Sequence, residues 1–564
     1  MKNNMETFFK KLQEKIEGDL TLDPVVLKEK SRDASIFEMM PSCVVFPKHE
    51  KDIQEVVRFV REHKAEHPEL SIVVRSAGTC MSGGALGESI ILDVTKYMHG
   101  TLSVEKTEDG GLARVLPGTY YRDFDVETKK LDLIMPTYSA SREICTVGGM
   151  VANNAGGEKS IHYGKTEDFV HKLRVVLDDG EVYEIRNLTI DELEEKMKLE
   201  GREGDMYRRM WNIIQVNESE IVSAKPNVSK NSAGFYLWNI YNKNTKTFNL
   251  CHLFAGSQGT LGIISEITFS LVPVKKASKL VVIFLNDLTY MGELINDLLA
   301  FDPESIESYD DNTLKVAVKF FKDFLKKRGP WGMVLFMFSF LPEFFMMLSG
   351  GIPKIILLVE CAGNTEAEID AKAKRIKTKM RAKYHARRLH VHVTQNDKEE
   401  QKYWEVRHDS FALLRKHSHG VRTAPFIDDF IVRPVHLPQF LPELNKILGI
   451  YKIKYTIAGH PGDGNFHIIP LMDFKDPQTR EIIYDLSDRV YDLVAKYKGS
   501  ITAEHNDGII RTPYLDKMYS AHILELFKEV KEFFDPAGIF NPRKKVGGTK
   551  EDIKKYFIKD GANA

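Results

Sequence analysis

The chain has 564 residues, with 79 Lys and Arg against 80 Asp and Glu and a net charge of −1. That length predicts two to four domains with ample core, and the balanced charge removes the electrostatic case for nucleic acid. The five cysteines, Cys43, Cys80, Cys145, Cys251 and Cys361, are scattered and form no C-x-x-C, which excludes a disulfide framework, a zinc cluster of cysteines or an iron–sulfur cluster and fits a reducing compartment.

The first twenty residues lack the apolar core of a signal peptide and read as a charged amphipathic helix. A βαβ unit follows: a strand at 44–47, a helix at 52–63 with Ile53, Val56, Val57 and Val60 at helical spacing, and a strand at 71–75. That strand runs into R-S-A-G-T-C-M-S-G-G-A at 75–85, and another strand is expected at 89–94. A strand entering a turn with Gly78, Gly83 and Gly84 leaves backbone N–H groups without ladder partners, a nest suited to pyrophosphate; a glycine-rich hairpin is the alternative. No helical pattern follows, so the turn is neither a P-loop nor G-x-G-x-x-G.

A further strand ends at 115–118 and a helix spans 121–130. The run T-V-G-G-M-V-A-N-N-A-G-G at 146–157 is too small to fill a core and too uncharged for a solvent loop. Val147, Met150 and Val151 alternate with small residues, so the run reads as packed, either a linker or a wall against a flat or charged ligand. A hairpin at 173–185 turns at Asp179-Gly180. Surface helices follow at 188–220, then K-N-S-A-G-F-Y at 230–236 and a second glycine-rich turn between apolar strands at 253–264.

Past 273 strands alternate with helices: strand 280–285, helix 290–301, strand 355–360 and a long basic helix 366–384. This predicts an α+β substrate domain with an antiparallel sheet. The segment 319–351 begins basic and amphipathic and continues rich in Trp, Phe and Met, with Pro342 and Glu343 breaking any single span. Its reading stays open between an interfacial membrane helix, a core helix and a dimer contact.

Two stretches carry chemistry. A-G-H-P-G-D-G-N-F-H at 458–467 holds His460 and His467 on either side of a turn that Pro461, Gly462 and Gly464 keep from being helical. S-I-T-A-E-H-N-D-G at 500–508 offers Glu504 and His505 after an expected strand. Two imidazoles and one carboxylate suit a divalent metal such as zinc, although paired histidines are more often structural.

Taken together, the motifs at 75–85, 136–157, 163–168 (Y-G-K-T-E-D), 256–263 (G-S-Q-G-T-L-G-I) and 534–542 (F-D-P-A-G-I-F-N-P) resemble a flavin-dependent family. It includes vanillyl-alcohol oxidase, glycolate oxidase large subunits and D-lactate and D-2-hydroxyglutarate dehydrogenases. The resemblance implies an α+β chain: an N-terminal helical segment 1–35, a two-part PCMH-type FAD-binding domain 36–274, a substrate or cap domain 275–505 with an antiparallel sheet, and a C-terminal segment 506–564 returning to the FAD domain. It implies that FAD is held by Arg75, Ser76, Ala77, Gly78, Thr79, Cys80, Ser82 and Gly83. Pro136, Thr146, Gly148, Gly149, Ala152, Asn153, Asn154, Gly156 and Gly157 would line it further, with Gly259, Gly262, Ile263 and Asn541. Relatives with covalent flavin carry histidine in the first loop where this chain has Thr79, so dissociable FAD is expected. The family usually has Glu where this chain has Gln258.

The dehydrogenase branch implies a divalent metal, zinc for this donor set, on His460, His467 and Glu504, with Asn465 and His505 beside the substrate. Trp404-Glu405-Val406-Arg407 matches a W-x-x-R whose arginine grips a carboxylate, a task suited to its planar fork. The implied activity is oxidation of a D-2-hydroxy acid of the lactate, glycolate or 2-hydroxyglutarate class. His505 would act as base, flavin N5 would accept the hydride, and electrons would pass on to quinone, a cytochrome or an iron–sulfur or other electron-transfer protein. Phe411 stands where the 2-hydroxyglutarate branch has Thr, which favours a shorter or apolar substrate, and Arg422 stands where that branch has Lys, so the distal part of the substrate stays open. Asp507 beside an anionic substrate would be unhelpful unless it points away. A cytoplasmic location is expected, peripheral on the inner membrane face if 319–351 touches lipid; a homodimer is the other use for that segment. Alternatives are an alkylglycerone-phosphate synthase-like flavoenzyme, a flavin subunit of an electron-transfer complex, and a metal-dependent hydrolase.

Overall fold

A computed structural model describes residues 2–311, 353–387, 389–417 and 421–558, with backbone alone at 2–5 and 408–417. The 319–351 segment lies outside the described residues, as does the side chain of Phe411. The chain divides into two units, the first made of 1–157, 163–274 and 500–558, the second of 158–162, 275–499 and 559–564.

In the first unit, strands Cys43–Phe46, Ile90–Asp93 and Ile72–Arg75 form a parallel core of a small sheet, edged by the antiparallel strand Asp19–Thr21. Alternate residues go to opposite faces. Cys43, Val45, Ile72, Ile90 and Leu92 pack with helix Glu50–His63, while Val44, Val73 and Ile91 face the other way. The N-terminal helix Lys2–Gln13 contributes Phe8, Phe9 and Leu12 to the first of these cores, so its apolar stripe is spent inside the unit. The second sheet is antiparallel, with strand Ile263–Pro273 between Val170–Val176 and Gly110–Val115. The C-terminal stretch is stitched alongside the parallel sheet: Ile72 N–H donates to Ile539 O and Asn541 N–H to Ile72 O.

The second unit is built on an antiparallel sheet, ordered His390–Val393, Ala277–Leu285, Ile355–Gly363, Ser305–Asp310, Lys454–His460, Asn465–Met472 and Arg422–Thr423. Leu280, Val282, Phe284, Ile356 and Leu358 make one face of its core, covered by Tyr403 and Val406 of helix Asp397–His417. The mixed α+β class and the antiparallel sheets expected from the sequence are present.

Three local expectations change. The 146–157 run contains a short helix, Val147–Asn153, because Thr146 caps it by accepting from Gly149 N–H and Asn154 closes it in the left-handed region at φ 48°. The 253–264 turn is entered from a helix, Cys251–Phe254, not from a strand. No strand precedes Glu504; the chain arrives there from helix Gln478–Lys496 through irregular backbone.

Candidate active site

A groove opens in the first unit. Three motifs from the sequence share its wall: Ser76 to Cys80, then Thr146, Gly148, Gly149, Ala152 and Asn153, then Gly259 and Gly262. They are held together by backbone. The last carbonyls of helix Val147–Asn153 accept from the following turn, Gly256 N–H to Val151 O at 2.8 Å and Gln258 N–H to Ala152 O at 2.9 Å. Those carbonyls are the groups a helix end leaves unpaired, so the second turn serves as the cap of the first motif.

None of the residues lining the groove is charged. The wall presents Gly, Ala, Ser and Thr, so a bound anion meets backbone amides and hydroxyls. A Cβ on Gly148 would sit 2.6 Å from Pro117 O, and one on Gly78, at φ +70°, 2.2 Å from Arg75 Nη2. Gly148 needs glycine for space against the Pro117 backbone, and Gly78 for its left-handed backbone. Such a cradle fits the pyrophosphate and flat ring of FAD.

Several expected FAD residues lie behind the wall. Arg75 does not line the groove; it donates to Arg32 O at 2.8 Å and packs under Gly78. Asn541 Nδ2 donates to Gly84 O at 2.8 Å and Gln258 O at 2.7 Å, clamping two turns together. Ser82, Gly83, Pro136, Asn154, Gly156, Gly157 and Ile263 are likewise outside the lining. In their place Val74, Val94, Pro117 and Ile264 contribute. These residues belong to strands and a turn whose apolar residues look like ordinary core in the sequence.

Gln258 does more than a single hydrogen bond. Its Nε2 donates to Asn153 Oδ1 at 3.1 Å and Ser82 Oγ at 3.3 Å, while Oε1 accepts from Gly508 N–H at 2.9 Å. The 503–507 segment of the same unit is braced by buried lysines. Lys165 donates to Ala503 O at 2.7 Å, Lys230 pairs with Glu504 at 2.6 Å, and Lys545 reaches Asn506 Oδ1 at 2.7 Å and Asp507 Oδ2 at 2.9 Å. Asp507 is therefore turned onto Lys545, also accepting from Gly234 N–H. Burial pushes the Lys545 ammonium down, and Asp507 opposes that shift. His505 is half-buried.

In the second unit, strands Lys454–His460 and Asn465–Met472 place Ala458 opposite His467 and His460 opposite Asn465. The two imidazole rings lie 5.2 Å apart, edge to face. His467 Nδ1 is 2.7 Å from Asp428 O, and His460 Nδ1 is 2.5 Å from Glu307 Oε1. A carbonyl or carboxylate oxygen only accepts, so each Nδ1 carries a proton, and in the neutral ring the lone pair is on Nε2. This is the supporting bond seen on metal-ligating histidines. Asn465 is fully buried; Nδ2 donates to Phe430 O at 3.0 Å and Asp429 Oδ1 at 3.3 Å, while Oδ1 has no partner. Arg407 is buried on helix Asp397–His417, and its Nη2 lies 3.2 Å from Glu307 Oε2. Glu307, Asp428, Asp429 and Lys230 were not singled out from sequence; isolated charged residues carry no local signal of where strand pairing will take them.

Residues 41–186 match the family described as FAD binding domain, and residues 274–545 match FAD linked oxidases, C-terminal domain. With the glycine-walled groove, these matches define an FAD-binding chain. The chain belongs to the FAD-linked oxidase family. It is similar to D-2-hydroxyglutarate dehydrogenase of Pseudomonas putida, 28% identical over 93% of this chain and 50% of that protein. It is also similar to glycolate oxidase subunit GlcD of Bacillus subtilis, 24% identical over 90% of this chain and 89% of that one. The chain spans about half the length of the D-2-hydroxyglutarate dehydrogenases of Pseudomonas putida, Escherichia coli, Pantoea ananatis and Haemophilus influenzae, and 91% of that of Stutzerimonas stutzeri. In fold it resembles the structure of p-cresol methylhydroxylase with substrate bound, with a TM-score of 0.65 at 16% identity and 97% of each chain covered.

Proposed function

We propose that the chain oxidises a D-2-hydroxy acid to the 2-oxo acid. The observation that carries this reading is the second unit's polar cluster: a buried guanidinium, Arg407, and two imidazoles, His460 and His467, each fixed through Nδ1. Arg407 grips the substrate carboxylate through its fork. His505 takes the hydroxyl proton, since imidazole titrates near neutral pH. Asn465, held by its amide nitrogen, turns its unpartnered oxygen to a donor on the substrate. His460, His467 and Glu504 would hold a divalent metal, zinc for this donor set, an assignment supported by the motif resemblance and by the Nδ1 hydrogen bonds of both histidines. Bound non-covalently, FAD supplies the hydride acceptor, and the metal supplies Lewis acidity toward the hydroxyl.

The side chain of the substrate is short or apolar in this reading, after Phe411 in the sequence. Electrons leave the flavin for quinone, a cytochrome or another electron-transfer protein. Coverage of most of GlcD, named as a subunit, supports a protein acceptor. No helix among the described residues is long and apolar enough to cross a membrane.

An anaerobic panel of D- and L-2-hydroxy acids tests the proposal through the flavin absorbance band. Bleaching by D-lactate or a related D-acid is expected. His505→Ala should keep FAD bound and slow that bleaching by about 10²- to 10⁴-fold. A flavin left oxidised by every acid of the panel would overturn the reading, and activity intact after chelation would remove the metal from it.

A further inference from the structure

Glu307 takes no part in the scheme above, yet it joins two of its residues. It lies on strand Ser305–Asp310, is 1% exposed, and has both oxygens engaged, Oε1 by His460 Nδ1 at 2.5 Å and Oε2 by Arg407 Nη2 at 3.2 Å. The register explains the first contact: Ser308 pairs with Gly459 and Tyr309 with Ala458, which sets Glu307 across from His460. The second follows from packing, since Tyr403 and Val406 of helix Asp397–His417 sit in one core with Tyr309 and Leu358 and so fix the height of Arg407. A buried guanidinium requires a counter-charge, and Glu307 provides one with no substrate present. The same carboxylate accepts from His460 Nδ1 and so fixes the orientation of the ring, with Nε2 as the nitrogen left to bind a metal when the ring is neutral.

We infer that Glu307 is a positioning residue with two roles, resting on the proposed function: a resident anion that presets the Arg407 fork, and the group that orients His460. The incoming carboxylate shares a guanidinium whose charge is already compensated. Glu307 therefore weakens substrate binding through Arg407 while strengthening what His460 does. The two effects have opposite signs, which a carboxylate kept only for folding would not produce.

The test uses the full FAD-loaded chain, with Glu307→Gln and Glu307→Asp beside the wild type. Propionate, a carboxylate without a hydroxyl, is titrated by its perturbation of the flavin spectrum at saturating zinc. Zinc itself is titrated against a chromophoric chelator, and folding is followed by circular dichroism. Glu307→Gln removes the resident charge and should bind propionate about fivefold tighter, yet bind zinc about 10- to 100-fold more weakly. With D-lactate its KM should fall along with kcat. Glu307→Asp keeps the charge but is too short to span both partners, so propionate binding should stay near the wild type while zinc binding weakens. Propionate affinity unchanged or lowered in a folded Glu307→Gln variant would overturn the inference alone. So would a loss of both affinities in step with melting temperature in either variant. A wild type that neither responds to propionate nor is bleached by any D-2-hydroxy acid would overturn the proposed function first, and this inference with it.

Discussion

Within the first unit two neighbouring stretches of chemistry are built on opposite principles. The groove wall is made by leaving side chains out: its lining is uncharged, and Gly78 and Gly148 each sit where a single methyl would collide with a neighbour. The 503–507 segment is made by adding charge, with Lys165, Lys230 and Lys545 buried against it. A wall of backbone amides can accept a large, flat, dianionic ligand without choosing its own charge state. A braced segment instead holds Glu504, Asn506 and Asp507 in fixed orientations, as a reacting centre needs. The two constructions should fail differently when altered.

The largest effect is expected at Lys230. Its ammonium is fully buried 2.6 Å from Glu504 Oε1 and also contacts Gly157 O. Lys230→Met leaves a buried carboxylate without that partner and should cost about 3–5 kcal/mol in urea unfolding. Loss of less than about 1 kcal/mol, the range of exposed ion pairs, would show that the segment is not braced as described. Next comes Gly148→Val in the groove. The added atoms meet Pro117 backbone at 2.6 Å, and overpacking of this kind costs about 3 kcal/mol. Here the diagnostic is flavin content: the purified variant should be colourless while still folded by circular dichroism. A yellow Gly148→Val protein would break the contrast between the two regions.

Glu167 separates them by pH. It lies behind the groove, where its backbone N–H donates to Asn154 Oδ1. Burial, with Asp168 adding to it and Lys165 opposing, raises its carboxyl to about 8. In the unfolded chain the same group titrates near its usual 4.5. Between these values the unfolded state loses its proton while the folded state keeps it. Stability therefore falls as pH rises from about 4.5 to 8 and is flat above, the reverse of an ordinary paired carboxylate. Glu167→Gln should melt with the wild type near the acid end of that window and exceed it by about 5 kcal/mol at the alkaline end. Identical pH profiles for the two proteins would refute the raised value.

The groove was legible in the sequence and the brace was not, for a physical reason. Glycine records a constraint at its own position, so R-S-A-G and T-V-G-G announce a wall wherever they stand. Lysine records nothing of its partner. Lys165, Lys230 and Lys545 all fall in or beside motifs that stand out for their glycines and asparagines, and their convergence depends on pairings 39 to 338 positions apart in chain order. Glu307 is a similar case: it reaches His460 across 153 positions through strand register alone. The histidines were visible because a turn of Pro and Gly separates them by a short, readable loop. Even in the groove, a glycine run could not disclose that Thr146 would cap a helix within it.

Gln258 tests how finely the wall is tuned, and its effect should be the smallest. As an amide it donates to Asn153 Oδ1 and Ser82 Oγ, linking all three turns that the motifs define, and accepts from Gly508 N–H. The carboxylate usual at this place in related sequences could keep Gly508 and accept from the Ser82 hydroxyl. It has no proton for Asn153 Oδ1, so Asn153 must flip its amide to restore a bond. It also adds a negative charge to a wall that otherwise has none. Gln258→Glu should therefore cost about 1 kcal/mol and weaken FAD binding about fivefold by flavin fluorescence. Adding Asn153→Ser, which removes the oxygen facing the carboxylate, should recover most of the lost stability. If that second change makes matters worse, Asn153 is held by the flavin and not by Gln258, and the wall is more rigid than its hydrogen bonds imply.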